Sequence, residues 1–507
     1  MKRVMALCLA VLLLCGCSRQ GEYVPSGDGL ADQPTKAPVQ TPEIHVQELS
    51  LTYYPEKGLN PYTCSDENNR LLFSLLYQSL FTVSGDYEVE PLLCRGYWRS
   101  PDMTQYVFYV ENATFSDGTV LSVADVYASL EAARTSTLYS GRFSRVKSMT
   151  PTQDGGLQID LTTPYENFPM LLDVPIVKAS QVSSDSPLGT GPYILERAAS
   201  GPWLRLRRDW WCDAQLPLSA SKIPLLTASS ATGIRDQFER ENVGVVCANP
   251  GENSYVDFRC DYELWDCENG VFLYLGCNAK SNVFGIPEVR QALTYAIDRR
   301  AISLEHYRSF ALPAVLPASP NSPYYSPAEA EKNSYDPDRL RQALAAQNLE
   351  GTTVSLLGNK DDGRRLQVAQ TISDVLTEVG LKVILRALDG ENYRAALKSG
   401  RFDLHLGQTK LSPNMDLSAF FSPDGALNFG GMADAGIYSM CQDALANQGN
   451  YTALHRAVLE DAMLCPVAFL SYAVYAQRGL LEDFTPARDF VFYYSLGRTL
   501  EDARILE

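Results

Sequence analysis

Residues 352–406 limit the fold more than any other part of the chain. Residues 352–357 read as a strand. Leu366, Ala369, Ile372, Val375, Leu376 and Val379 then recur at three-to-four spacing, one face of a helix that Gly380 ends. Leu381, Val383 and Leu385 alternate as a second strand, a short helix covers 393–397, and 402–406 gives a third strand. Strand, helix, strand, helix, strand predicts a mainly parallel sheet with helices on its faces. Elsewhere Leu71, Leu72, Leu75, Leu76 and Leu80 predict a buried helical stripe, and 106–110 a strand. No internal repeat is visible.

At 507 residues the chain can hold two to four domains of roughly 100–200 residues each. Its 60 acids against 43 bases give a net charge of −17. With no basic run, that balance argues against nucleic acid or anionic headgroups as partners. Lys2 and Arg3 precede a short apolar stretch, Val4 to Leu14, well under the roughly 20 residues that span a bilayer. It ends in Leu14-Cys15-Gly16-Cys17, which resembles a bacterial lipobox; the plainer reading is an ordinary secretory signal. On the first reading 1–16 is removed and Cys17 carries the acyl chains of a membrane anchor. Residues 17–42 are then the lipidated cysteine and a stalk rich in Pro, Gly, Ser, Asp and Gln, too polar to bury a core. Of 12 cysteines, the signal takes Cys8 and Cys15 and the anchor takes Cys17, leaving an odd number. They are expected to be mostly reduced and to pack as small apolar residues, with room for one or two disulfides. Wide cysteine spacing and four scattered histidines offer no metal site and no cofactor.

Several longer strings have a local physical reading. Phe115-Ser116-Asp117-Gly118 is a turn, and Ser122 with Asp125 three residues on is a capping box for a helix carrying Val126 and Leu130. Gly189-Thr190-Gly191-Pro192 is a tight entry to a strand; without a third glycine or a following helix it is no phosphate cradle. Arg290 and Asp298 are expected on one helix whose apolar face is Val289, Leu293, Ala296 and Ile297, and read as structural partners or lobe-surface charges rather than ligands.

Taken in order, the strings carry a resemblance. They are Leu59-Asn60-Pro61, Leu76-Tyr77-Gln78-Ser79-Leu80-Phe81 closing a helix, Val89-Glu90-Pro91-Leu92-Leu93 with Tyr97-Trp98, and 107–130. Pro187-Leu188-Gly189-Thr190-Gly191-Pro192-Tyr193, 289–299 and Tyr335-Asp336-Pro337 follow. Over about 49–498 the chain resembles the extracytoplasmic solute-binding proteins of ABC importers, peptide/nickel type. The resemblance implies an α/β, two-lobed periplasmic-binding-protein-like clamp with an extra subdomain inserted in the first lobe. Lobe I would comprise 43–65, 186–268 and 472–507, the inserted subdomain 66–185, and lobe II 269–471. It further implies a monomer that takes a peptide or related small solute into an interlobe cleft and hands it to a permease and its ATPase. The alternative use of the same clamp is a receptor that reports a solute to another membrane protein.

In the family's peptide binders a W-x-x-D turn follows the strand aligned with 402–407, and its Asp pairs with the peptide's α-ammonium. Here Thr409 stands at the Trp and Ser412 at the Asp, with Lys410 between them. Asp416 could replace the anchor only if the loop shifts. A Lys410 that faces the cleft would favour a carboxylate, a phosphate or a hydroxyl-rich solute. Tyr54, Tyr393, Thr409, Lys410 and Asn414 are the candidate ligand residues. No GxSxG, HExxH, Walker loop or close Cys/His pair is present, and Asp361-Asp362 reads as a solvated loop, so catalysis is not expected.

Overall fold

The computed structural model describes residues 49–505, apart from 213, 228–230, 252–257, 482–483 and 489. The signal, Cys17 and the stalk therefore lie outside the described residues.

The predicted alternation is present as strands Thr353–Asn359, Lys382–Leu388 and Leu404–Lys410, with helices Gly363–Glu378 and Gly390–Ser399 between them. Thr353–Asn359 pairs in parallel with both other strands. Val368, Ala369, Ile372 and Leu376 bury the longer helix against the sheet, and Gly380 leaves it at φ +112°. Asp361 and Asp362 form the expected loop, Asp361 exposed and Asp362 half-buried, and both carboxylates are also engaged by backbone. Asp362 accepts from Arg365 N at the helix start (2.9 Å), and Asp361 accepts from Gly390 N (2.7 Å).

These strands belong to a seven-stranded sheet whose centre is two long antiparallel strands, Glu263–Cys277 and Leu464–Ala476. The two run through two hydrophobic cores. Cys267, Val474 and Ala476 pack in the first core, while Phe272 to Leu275 and Leu464 to Leu470 line the second. Their pairing breaks between the cores: Glu268 faces Ser471, but the next pair is Phe272 with Phe469. The first core also joins two four-stranded sheets. One holds Leu51–Thr52, Lys222–Leu226, Gly201–Leu206 and Tyr193–Ala198; the other holds Cys94–Arg99, Gln105–Val110, Leu157–Leu161 and Val146–Pro151. Two cores threaded by the same pair of strands form the two-lobed clamp that the sequence predicts.

The capping box is present, with Asp125 accepting from Ser122 N at 2.9 Å. Gly118 turns at φ +83°, and Asp117 accepts from Thr119 N at 3.1 Å. All nine cysteines in the described residues are free. Arg290 donates to the carbonyls of Phe284, Gly285 and Asp461, and Asp298 caps a helix by accepting from Ala301 N, so both charges hold backbone.

Two expectations need correction. The leucine-rich helix stops at Leu76, after a break at Leu72. Tyr77 is extended, Gln78–Ser79 pairs with Pro175–Ile176, and Leu80 is buried as part of this extended segment. The segment around Arg290 is likewise two helices, Pro287–Leu293 and Arg299–Tyr307, separated by a 3-10 turn.

The end of the leucine helix explains the Gly189-Thr190-Gly191 string. Gly191 N donates to Leu76 O at 3.0 Å. A Cβ on Gly189 would lie 2.2 Å from Leu76 O, and one on Gly191 2.5 Å from Leu76 C. Only a bare backbone fits there. Gly191→Ala should destabilise the protein by about 1–3 kcal/mol, the usual range for forcing a methyl into a packed site. Urea unfolding measures this, and wild-type stability in the variant would mean the two segments separate freely.

Candidate functional site

The break in the crossing strands gathers polar groups. Side chains alternate faces along a strand, so Asp266 and Glu268 share one face of Glu263–Cys277. Across the pair, Glu268 stands opposite Ser471 and Asp266 opposite Ala473. Ala473 and Tyr475 pack with Phe238, Val246 and Phe258, and Phe310 lies against the same cluster.

Glu268 is clamped. Its Oε1 accepts from Tyr87 Oη (2.5 Å) and its Oε2 from Ser319 Oγ (2.7 Å). Burial raises its pKa, and these bonds and the Arg488 charge restrain the rise. Tyr87, from the segment 66–185, already packs in the second core, and Ser319 follows Ala318 of that core, so both bonds fix Glu268 to the second core's side. Immediately beyond it, Gly270 takes φ +70°, and a Cβ there would lie 2.1 Å from the Arg488 guanidinium. Arg488 in turn donates to Leu411 O, and Leu411 N donates to Gly270 O at 3.0 Å. The 409–414 turn is thus bonded to the break itself.

Asp266 is different. Its side chain is open to solvent, yet enough protein surrounds the carboxyl that desolvation raises its pKa. Its place in the strand pair puts it on the same face as Glu268 and Ser471, next to the break. Ser471 Oγ lies near enough to restrain the rise, but it is fully buried and makes no hydrogen bond of acceptable geometry.

The five predicted ligand residues fall on both sides of this floor. Tyr54 is half-buried against the Phe238 cluster, its backbone fixed on both sides by Asn69 at 2.8 Å. Burial, then Asp66 and Glu56, push its hydroxyl up to about 12. Thr409 is half-buried opposite Phe272, and Lys410 is exposed opposite Val271 and already engaged. Two candidates are occupied by the fold. Tyr393 is buried among Leu357, Ala396, Leu397 and Phe402 and donates to Leu406 O at 2.8 Å, so its ring is closed to solute. Asn414 is buried too, and its main-chain carbonyl accepts from Tyr451 Oη, while its side-chain Oδ1 makes no well-formed hydrogen bond. Asp416 accepts from Ser418 N (2.9 Å) and Ser418 Oγ (2.6 Å) and faces Arg145, so it does not replace the missing anchor. Asp266, Glu268 and Ser471 were missed. Their signal was alternating acids, Asp266 and Glu268, next to Asn269-Gly270 in an otherwise apolar strand.

The sequence profile described as "Bacterial extracellular solute-binding proteins, family 5 Middle" matches residues 88–428. The chain belongs to this family. It is therefore a solute-binding protein of the ABC-importer class. Among similar proteins is the glutathione-binding protein GsiB of Salmonella typhimurium, 24% identical over 374 residues, which cover 68% of this chain and 69% of the relative. Among solved structures, HbpA2 from Haemophilus parasuis superposes with a TM-score of 0.73 at 17% identity, over 88% of this chain and 98% of its own. DppA from Helicobacter pylori in complex with the peptide STSA gives 0.63 at 17%, over 89% and 97%. At these identities the solved structures speak to the fold: both are family 5 clamps.

Proposed function

We propose that this family 5 protein captures a peptide or related small solute between its lobes, without catalysis, and delivers it to a permease driven by an ATPase. The observation that carries this reading is the pair of crossing strands, whose register breaks between two cores above a floor of polar groups. Lobe I is assigned to 43–65, 186–268 and 472–507, the inserted subdomain to 66–185 and lobe II to 269–471. The hinge is then the break at 268–272. That GsiB is named for glutathione and DppA was solved with a peptide supports a peptide-like solute. Neither of these two proteins points to the reporting role.

Mass spectrometry of solute released on denaturation tests the class, and a peptide-like mass is expected. Scattering tests the motion: a ligand that bridges both lobes stabilises the closed form, so the radius of gyration should fall at saturation. An unchanged profile would describe a rigid receptor.

The protein works as a monomer outside the cytoplasm, tethered through Cys17. Among the described residues no helix is long and apolar enough to cross a membrane. Cys17→Ala should abolish incorporation of labelled palmitate and release the protein from the membrane fraction. Equal label on both forms would refute the anchor.

A further inference from the structure

We propose that Asp266, with the Ser471 hydroxyl beside it, is a subsite for a cationic nitrogen of the captured solute, such as the α-ammonium of a peptide-like molecule. It rests on the reading of the cleft as the solute site.

The turn that would carry an ammonium anchor holds Thr409, Lys410 and Ser412, and Asp416 is bonded to Ser418 and faces Arg145. A buried ammonium without a carboxylate is strongly disfavoured, so an amine-bearing solute needs an acid from elsewhere. The crossing strand supplies one. Asp117, Asp125, Asp361, Asp362, Asp403 and Glu268 all accept bonds from the protein. No lysine, arginine or histidine among the described residues pairs with Asp266.

Ser471 points the same way. Buried hydroxyls are nearly always hydrogen-bonded, because an orphan loses its water without compensation. Ser471 Oγ makes no well-formed hydrogen bond, the Asp266 carboxyl being the acid within its reach, although its own backbone N–H donates to Phe310 O at 2.9 Å. It lies diagonally across the strand pair from Asp266, a spacing of about 7–8 Å or less between side-chain origins. An ammonium between them would find two carboxylate oxygens and one hydroxyl lone pair for its three N–H groups. It would also relieve the repulsion between Asp266 and Glu268, like charges two residues apart on one face. Glu268 already faces Arg488; Asp266 has no such partner. This assignment opposes an anionic solute drawn by Lys410.

The full chain should be incubated with a peptone of short peptides and with the same peptone after exhaustive N-acetylation. Bound species are read by native mass spectrometry and their affinities by calorimetry. Wild type should retain peptides from the untreated pool and bind their acetylated forms about tenfold to a hundredfold more weakly, the range for one charged hydrogen bond. Asp266→Asn should lose that preference, and Asp266→Glu should keep part of it. Ser471→Ala should bind more weakly while melting at or above the wild-type temperature, which a purely structural serine would not do. Equal retention from both pools, or an Asp266→Asn variant with unchanged preference, would overturn the subsite and leave the cleft as the solute site. Retention from neither pool would overturn peptide capture itself, and the subsite with it. Should Asp266→Asn fail to fold, the wild-type pool comparison still decides.

Discussion

Below about pH 6 the protein should lose stability by about 1.4 kcal/mol per pH unit for each of two histidines. His405 and His455 are completely buried, and both are pushed from the usual 6.5 down to about 3. Burial is the main cause in both; the Arg365 charge adds to it at His405, and the Gly276 backbone partly opposes it. The rings of Tyr274, Phe402 and Phe429 stand edge-on around His405, and Tyr451 beside His455. The folded form keeps both imidazoles neutral while the unfolded chain takes up protons below 6.5. The unfolded state therefore binds more protons between 6.5 and about 3, and stability falls as pH falls through that window. His306 is shifted the same way. Asp266, Glu268 and Asp461 have raised values, so acidification favours their folded forms and partly offsets the loss. Urea unfolding between pH 7 and pH 5 should show the slope, and a His405→Phe, His455→Phe double variant should flatten it. An identical slope in both proteins would mean that the histidines stay hydrated.

The fold was legible where hydrophobic period and chain punctuation agree. Gly380 and the apolar face of Gly363–Glu378 announced a helix between parallel strands, and the packing needed nothing more. The leucine run at 71–80 misled because helical spacing cannot register a partner distant in sequence. Pro175–Ile176 pairs with Gln78–Ser79 and pulls Tyr77 into the extended form, a tertiary constraint that overrides local propensity. Charges were legible in kind but not in role. Asp361 and Asp362 form the loop that the sequence suggests, but nothing in it shows that each carboxylate also holds backbone.

The site was legible on one side only. The 409–412 turn could be aligned, and Gly270 and Arg488 do bond Leu411 within it to the break. Tyr393 and Asn414 were chosen for their position near turns, but aromatic and amide side chains there serve equally well to seal a core. Asp266 and Ser471 were hidden because they meet only once two strands, some 200 residues apart, are paired in register. Sequence spacing carries no trace of such a juxtaposition, whereas it does carry the capping box at Ser122 and Asp125.

Arg145→Met should cost about 3–5 kcal/mol, the range for removing one partner of a buried ion pair. Arg145 is 9% exposed and comes from the segment 66–185. Its guanidinium donates to Thr163 Oγ1 (3.0 Å) within that segment, and across to Ser418 Oγ (2.8 Å) and Gln442 Oε1 on the second core's side. Asp416 Oδ2 lies 3.7 Å away. Removing the cation leaves a largely desolvated carboxylate, a hydroxyl and an amide without their donor, and each then bears its desolvation cost. Arg145→Lys should recover only part of the loss, since one ammonium cannot reproduce a planar fork aimed at several acceptors. Asp416→Asn should cost less, because Ser418 still satisfies the side chain. The contact between residues 66–185 and the second core's side would loosen without parting: Glu166 N still donates to Leu445 O at 3.2 Å, and Tyr324 Oη still meets Met170 Sδ. The variant should therefore show both a lower urea midpoint and a larger radius of gyration. A loss below 1 kcal/mol with an unchanged radius would show that water, rather than Arg145, satisfies these groups.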